Sequence, residues 1–445
     1  RHFVGAPDDR GLGPGWRHGF DTRLAFRGGP APRLQVLQAD GRRIRFRHAG
    51  EGRFVAARAA DGMVLALAGG GWQWRWPNAR RLDFDGQGRL VAIAAANGDR
   101  LRLRWRAGRF VEVVDRGGRG MVLRWRGGRL VAVEAPGFAR LALGFDDEGR
   151  LVSARTPGGL ERYWYEDPRA AHRLTGAGPD ARARSRFAYD DAGRVVRSRA
   201  AGAPASDELL LAYEVAADGR EGRTLVRGPR GQAAYAWRRV GPDRIARLVA
   251  AEGAACRRCP PVGRWLWDDR GQLERTDRLR FRRDDTGRIL AIEPLVPRAT
   301  GASPDAVETR RYRDFDHEGA GIPLEVTQPS VAPGRQRRAR IELDARGRIV
   351  ALEESGFTPG GNAVARRVRL RYHPDGRADD PAGGRLAVLE RLDPGGTGRV
   401  VASIRLRYDS RGWLVGTDGP GGAAYRLRRD ATGAPAPGSA GHVAA

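Results

Sequence analysis

An eight-residue pattern recurs along this chain, and its recurrence constrains the fold more than any other feature. The clearest copy is YDDAGRVV at 189–196, in which an aromatic residue and two acids precede a Gly-Arg pair and two valines. Near copies are FDGQGRLV from 84, FDDEGRLV from 145, WDDRGQLE from 267, LDARGRIV from 343 and YDSRGWLV from 408. A catalytic motif usually occurs once, whereas a recurring pattern indicates a repeated structural unit.

The spacing of the copies gives the size of that unit. With the copies aligned on their glycine, Gly88, Gly108, Gly128 and Gly149 are 20, 20 and 21 residues apart. The next interval holds a degraded copy that begins at Tyr165. A period of about 21 residues, with insertions and deletions, indicates supersecondary units that stack on their neighbours.

The segments between the copies alternate between apolar and basic residues. In LRLRWR at 101–106, every second residue is apolar and the residues between them are arginines. VRLRYH at 368–373 and IRLRYD at 404–409 repeat this alternation. A period of two residues is typical of a β-strand with one apolar and one polar face. Each unit is therefore predicted to hold two strands and two turns in an all-β chain.

The octet itself is interpreted as a hairpin corner. Asp190 accepts hydrogen bonds from the backbone just ahead of it, as in an Asx-turn. Gly193 takes the positive φ of a three-residue hairpin with a bulge. Tyr189 packs, and Val195 returns to the core. The residues assigned to such turns are Phe84, Asp85, Gly88, Phe145, Asp146, Gly149, Tyr189, Asp190, Gly193, Trp267, Asp268, Gly271, Asp344, Gly347, Tyr408, Asp409 and Gly412.

With its Tyr-Asp…Gly-Arg unit and its period, the chain resembles the RHS repeats, also called YD repeats. The resemblance runs from about Leu82 to Gly433. Residues 1–26 also resemble the segment that precedes the repeats in such proteins, where a G-x-G-x-G-W stretch comes before the first strands; here that stretch ends at Trp16.

Three regions are predicted on this basis. Residues 1–45 form a lead-in segment to the first strands, residues 46–430 form the hairpin repeats, and residues 431–445 form a low-complexity tail or linker.

The resemblance implies an all-β, repetitive antiparallel β-hairpin ribbon that spirals into a hollow shell. In bacteria such a shell typically encloses a C-terminal toxic domain that a secretion system delivers to competitors. The implied partners are therefore a toxin cargo in cis and the secretion machinery, and the implied location is secreted or at the cell surface of a bacterium.

Family members that enclose a toxin usually end the shell with a D-P-x-G self-cleavage motif in an aromatic and Asn-rich context. Asp380–Gly383 has the letters without that context, so we expect a loop and no autoproteolysis there.

The net charge of +27 invites a nucleic-acid hypothesis. All 80 basic residues are arginine and none is lysine, which is typical of a genome with strong codon bias. The excess charge is also spread along the chain rather than gathered in one stripe. Composition therefore favours an arginine-rich solvated surface over specific nucleic-acid recognition. No apolar run approaches the roughly 20 residues that span a bilayer.

Residues with catalytic or metal-binding chemistry are scattered. Cys256 and Cys259 form one CxxC in a Pro-rich loop, which supplies at most two of the four ligands of a structural zinc site. DFDHEG at 314–319 groups acidic residues and a histidine but is explained as another repeat turn. The Trp-rich stretch at 72–76 is explained as a strand that packs its aromatic face, with a ligand-stacking platform as the alternative. No catalytic residue, metal site or cofactor is predicted.

The predicted function is a non-catalytic β-shell scaffold of an RHS-repeat polymorphic toxin, which encloses and delivers a C-terminal toxic cargo in interbacterial competition. Two alternatives remain open. The first is an extracellular YD-repeat adhesion module for a glycan or protein ligand. The second is non-specific nucleic-acid binding through the arginine-rich surface, which predicts a steep loss of affinity with salt.

Overall fold

The structure is a computed structural model of the 445-residue chain. It describes residues 2–3, 9–29, 32–77, 79–95, 99–136, 140–179, 185–200, 208–242, 244–254, 262–295, 307–313, 321–374, 383–410, 412–420, 424–427 and 441–443.

Nearly all regular structure in these residues is β-strand, and one short 3₁₀ helix lies at Ala59–Asp61. The strands are β1 His2–Phe3, β2 Trp16–Arg17, β3 Arg23–Arg27, β4 Arg33–Leu37, β5 Arg43–His48, β6 Arg53–Ala56, β7 Met63–Ala66, β8 Trp72–Arg75, β9 Arg81–Phe84, β10 Leu90–Ala94, β11 Arg100–Arg106, β12 Arg109–Asp115, β13 Gly120–Arg126, β14 Arg129–Glu134, β15 Leu141–Phe145, β16 Leu151–Thr156, β17 Gly159–Trp164, β18 Gly176–Pro179, β19 Ser185–Tyr189, β20 Val195–Ala200, β21 Leu209–Val215, β22 Glu221–Gly228, β23 Gly231–Val240, β24 Ile245–Gly253, β25 Gly263–Trp267, β26 Leu273–Thr276, β27 Leu279–Arg283, β28 Ile289–Pro294, β29 Glu308–Arg311, β30 Glu325–Pro329, β31 Gln336–Leu343, β32 Ile349–Phe357, β33 Ala363–Tyr372, β34 Leu386–Leu392, β35 Val400–Tyr408, β36 Leu414–Asp418, β37 Ala424–Arg426 and β38 Gly441–Val443.

The chain divides into two compact units, and each is an antiparallel meander. Unit 1 comprises Arg1–Ala25, Gln35–Arg45 and Val122–Asp277, and in it β14 to β26 each pair with the next strand in sequence. Unit 2 comprises Phe26–Leu34, Phe46–Met121 and Arg278–Ala445. Within it, β6 to β12 and β27 to β38 pair in the same consecutive manner. The predicted all-β ribbon of antiparallel hairpins is confirmed.

The alternation of residue types explains which side of each strand is buried. On β11, Leu103 is buried, whereas its neighbours Arg102 and Arg104 are exposed. Strand β10 likewise buries Leu90 and Ala92. Full burial of a Leu or Phe side chain stabilises the fold by about 2 kcal/mol, so one apolar residue at every second position is enough to fix the register of each strand.

Candidate functional site

The motif aspartate closes its turn through the backbone. Asp190 Oδ1 accepts a hydrogen bond from the Arg194 N–H at 2.7 Å, and the Asp190 N–H donates to the Arg194 carbonyl at 2.9 Å. Gly193 has φ 75° and donates its N–H to the Asp190 carbonyl at 2.8 Å. A β-bulge lies between Ala188 and Tyr189. The same set of bonds closes the turns that begin at Asp85, Asp146, Asp268, Asp284, Asp344 and Asp409.

The arginine after the motif glycine has a role that the sequence reasoning missed. Its backbone N–H binds one carboxylate oxygen of the aspartate, and its side-chain Nε binds the other. In the turn from Asp344, Arg348 Nε donates to Oδ2 at 2.6 Å, and both side chains are largely buried. The signal for this role was the arginine itself. Its planar guanidinium with five N–H donors can bond the carboxylate and still contact a third group. The same Nε–Oδ2 pair joins Arg89 to Asp85, Arg150 to Asp146, Arg194 to Asp190 and Arg288 to Asp284, each at 2.7 Å.

The third partner is the aromatic residue of the next unit. The Arg348 guanidinium carbon lies 4.5 Å from the ring centre of Tyr372, a cation–π contact. The Tyr372 hydroxyl donates a hydrogen bond of 2.8 Å to the carbonyl of Ile349, the residue after Arg348. One arginine thus joins its own turn to the neighbouring hairpin.

This link between units recurs along the chain. The bonds from an aromatic tip to a backbone carbonyl, all between 2.6 and 2.9 Å, are Trp105 to Leu90, Tyr165 to Leu151, Tyr189 to Leu174, Tyr213 to Val195, Trp267 to Leu248 and Tyr408 to Leu386. An arginine lies over each of these six rings, at 4.6 to 5.6 Å. Three of these arginines, Arg89, Arg150 and Arg194, also bind the aspartate of their own turn, whereas Arg173, Arg247 and Arg385 lie outside the D-x-x-G-R turns. The recurring geometry makes the repeat a ladder of similar joints rather than a set of independent hairpins.

The electrostatics of the joint leave little chemistry for the carboxylates. The backbone hydrogen bond from Arg194 holds the pKa of Asp190 below its ordinary value. At Asp344, burial acts to raise the pKa, but the hydrogen bonds from Arg348 outweigh it and the pKa is lowered. Burial raises the pKa of Tyr372. Ionised carboxylates whose oxygens are already hydrogen-bonded, and neutral tyrosines, suit a structural role rather than general acid–base catalysis.

Two of the aligned glycines belong to another kind of turn. Gly108 follows Ala107, and both have positive φ, so they form a two-residue hairpin without an aspartate; Gly128 lies in a similar turn. Because turns of a meander alternate between its two edges, these turns still lie on the edge of the motif turns.

A full motif turn that the sequence reasoning missed lies on the opposite edge, where Asp115 accepts hydrogen bonds from Arg119 N at 2.8 Å and Nε at 2.6 Å. Its letters, DRGGR, follow a valine, and its glycine, Gly118, falls between the aligned Gly108 and Gly128, outside the spacing of the repeat.

The lead-in segment packs across the first repeats of unit 1. Asp9 Oδ1 accepts hydrogen bonds from Gly11 N–H at 2.8 Å and Gly13 N–H at 3.0 Å. Trp16 Nε1 donates to the Tyr165 hydroxyl at 2.7 Å. A Cβ on Gly13 would lie 2.9 Å from the backbone oxygen of Gly149, so the glycine permits this close crossing. The degraded repeat at Tyr165 therefore has a specific partner.

The Trp-rich strand β8 is part of the core. Trp74 is fully buried, and its Nε1 donates to the Asp61 carbonyl at 2.7 Å. The ring centres of Trp74 and Trp76 are 3.7 Å apart. Trp74 is thus inaccessible to a ligand, which favours the packing interpretation of this stretch.

Several residues singled out from the sequence lie outside the described residues. These are Cys256, Cys259, the segment 314–319 and residues 380–382. Among the residues that the structure describes, no three His, Cys, Asp or Glu side chains are grouped as metal ligands. The described part of the chain also contains no helix of the length and apolarity needed to cross a membrane.

The late strands of unit 2 have one polar face on which charges are paired. Arg369 Nε lies 2.6 Å from Glu390, and Arg371 Nε lies 3.3 Å from the same carboxylate. Arg407 pairs with Asp418 at 3.1 Å. The arginine rows that give this sequence its charge are therefore partly neutralised by acids on the adjoining strand.

The opposite face of the same strands is apolar and incompletely covered. The register places Leu370 beside Leu389 and Leu389 beside Ile404. Leu370 and Leu389 are half-buried, and Ile404 is 39% exposed. These three side chains form a continuous apolar row across β33, β34 and β35.

Comparisons with known proteins agree with the repeat. Residues 1–46 match the family model described as a domain of unknown function, DUF6531, which is associated with RHS/YD repeats. The chain therefore resembles the RHS/YD-repeat proteins in its repeat and in this matched lead-in segment, which is about a tenth of its length. No curated protein matches it.

Among solved structures, the chain is similar to the crystal structure of TcdB2-TccC3-TEV, at 12% identity and a TM-score of 0.44 over 92% of this chain. It is also similar to the Photorhabdus luminescens Tc holotoxin pore with the mutation TccC3-D651A, at 12% identity and a TM-score of 0.41 over 90% of this chain. The match covers 23% and 22% of those two chains, so this chain spans less than a quarter of their length.

Proposed function

We propose that this chain is a non-catalytic β-shell scaffold of the RHS toxin type, which encloses a C-terminal toxic cargo in cis and carries it to competing bacteria. The observation that carries the proposal is the half-exposed apolar face of the late strands, which is centred on Leu389 and Ile404. A scaffold in water gains free energy when such a face contacts a cargo instead of solvent.

The joints of the repeat support the same function. A ribbon that encloses a cargo must hold its curvature over many hairpins, and a joint such as Asp344–Arg348–Tyr372 fixes each hairpin to the next. A ribbon that spirals into a shell would also protect strand edges that otherwise pair with other chains. The proposed location is therefore secreted or at the bacterial surface, with a secretion system as the partner that delivers the shell.

Protease protection tests this proposal. The chain is expressed together with the sequence that follows it in its gene, digested under native conditions, and the downstream part is followed by mass spectrometry. We expect that part to survive at least tenfold longer than it does when expressed alone. Equal rates of cleavage would contradict enclosure and favour the adhesion alternative.

A matched pair of variants tests which face holds the cargo. Ile404→Asp places a charge on the apolar face, and Arg405→Asp places the same charge on the polar face one residue away. We expect Ile404→Asp to shorten the survival of the downstream part and Arg405→Asp to leave it nearly unchanged. The reverse order would place the cargo on the arginine face.

A further inference from the structure

A cavity of about 340 Å³ lies in unit 2, where early strands meet a late segment of the chain. Its walls come from the residue that precedes β9, from the adjoining ends of β10 and β11, from the turn between β12 and β13, and from the residue that precedes β34. The turn is tied to the late segment, because Arg116 Nη1 donates a 2.5 Å hydrogen bond to the Gly383 carbonyl. Arg119 also lies over the Trp413 ring, at 4.9 Å.

The cavity is lined by more positive than negative charge. Five arginines and two aspartates contribute to the wall: Arg80, Arg100, Arg116, Arg119, Arg385, Asp99 and Asp115. Both aspartates are engaged, since Asp99 lies 3.0 Å from Arg385 and Asp115 lies 2.6 Å from Arg119.

Arg116 is the distinctive member of the wall. It is half-buried, and its hydrogen bond to Gly383 goes to a neutral carbonyl. Within the described residues it forms no ion pair with a carboxylate. Removing a guanidinium from water costs free energy unless an anion approaches it, and the planar guanidinium is suited to two-point binding of a carboxylate or phosphate.

The rest of the wall is apolar. Ile93, Ala94 and Leu101 line the cavity beside the arginines. Small-molecule sites commonly combine such an apolar surface with a few polar groups that orient the ligand, and their volumes begin at about 300 Å³. An inorganic ion would leave this apolar surface in contact with water.

We propose that the cavity binds a small organic anion, with a carboxylate or phosphate at Arg116 and an apolar or aromatic body against Ile93 and Leu101. Arg116 on the early turn and Arg385 on the late segment both line the cavity, so an anion bound to both would add a link between these two parts of unit 2. This site is independent of cargo enclosure, and either proposal can fail without the other.

Isothermal titration with three probes tests the site: adenosine monophosphate, phenyl phosphate and decanoate. Adenosine and inorganic phosphate serve as controls that lack the charge or the body. We expect at least one probe to bind with 1:1 stoichiometry, about tenfold or more tighter than either control, and to raise the melting temperature.

Three variants locate the binding. Arg116→Ser removes the anchoring charge, and Ala94→Trp fills the cavity while it keeps every arginine. Arg102→Ser removes an exposed arginine on β11 that does not line the cavity. We expect the first two to weaken binding at least tenfold and the third to leave it unchanged.

Any one of four results would overturn the proposal. The first is that none of the three probes saturates the wild-type chain below about 5 mM, because such weak affinity would exclude a built site. The second is that inorganic phosphate binds as tightly as the organic anions, and the third is that Arg102→Ser weakens binding as much as Arg116→Ser. Either result would indicate general attraction to a basic surface. The fourth is that Ala94→Trp binds the probe as well as wild type while its melting temperature shows that it is folded.

Discussion

Replacing Arg348 with alanine removes the arginine contacts of one joint of the ladder while it leaves the backbone of the turn in place. The variant loses the 2.6 Å bond from Nε to Asp344 and the cation–π contact with Tyr372. A hydrogen bond between charged groups contributes about 1.5–3 kcal/mol, and a cation–π contact contributes about 0.5–2 kcal/mol. Because the Arg348 side chain is only 12% exposed, solvent screening reduces these values little. We expect a local destabilisation of about 3 kcal/mol.

Hydrogen exchange is the suitable assay for this variant, because a long repeat array does not unfold as a single two-state unit. Since about 1.4 kcal/mol corresponds to a factor of ten, the amides of the turn from Asp344 should exchange roughly a hundredfold faster. Arg346→Ala in the same turn is the control, because its side chain is exposed and the substitution keeps the backbone N–H that Arg346 donates to Asp344. A change of less than threefold in Arg348→Ala, or an equal change in the control, would refute the role given to this arginine.

Three further predictions concern the turn, its charge and the lead-in segment. Gly88→Ala should destabilise its turn by about 1–2 kcal/mol, because Gly88 has φ 75°, whereas Gly86→Ala in the same turn meets no atom within 4 Å and should change little; melting curves compare the two variants. Because the pKa of Asp344 is lowered in the fold, its contribution is complete above about pH 4 and is lost as the pH falls through the folded-state value. The melting temperature should therefore fall on acidification below pH 4, and it should fall less steeply in Asp344→Asn; identical slopes would contradict the assignment. Gly13→Ala should displace the lead-in segment and expose it to limited proteolysis, and an unchanged cleavage pattern would show that the segment tolerates the added Cβ.

The sequence predicted the parts of the fold that depend on local rules. Alternation predicted the strands, and the D-x-x-G spacing predicted the bulged turns, because both are determined by residues within a few positions of one another. The turn from Asp190, for example, depends only on Asp190, Gly193 and Arg194.

The contacts between units could not be read in this way. The Tyr372 hydroxyl finds its carbonyl 23 residues earlier, and Arg116 finds Gly383 267 residues later. Such partners depend on how hairpins stack and on where separate parts of the chain meet, and one sequence contains no local pattern for either. Asp115 was missed for a different reason, because its turn lies between the aligned glycines Gly108 and Gly128 and so falls outside the spacing of the repeat.

The most direct test of the account is electron cryomicroscopy of the chain together with the sequence that follows it in its gene. We predict a continuous hairpin ribbon around internal density that the downstream sequence accounts for, with the face of Leu389 and Ile404 turned inward. A ribbon that surrounds no density, or a downstream part seen outside it, would contradict enclosure of a cargo.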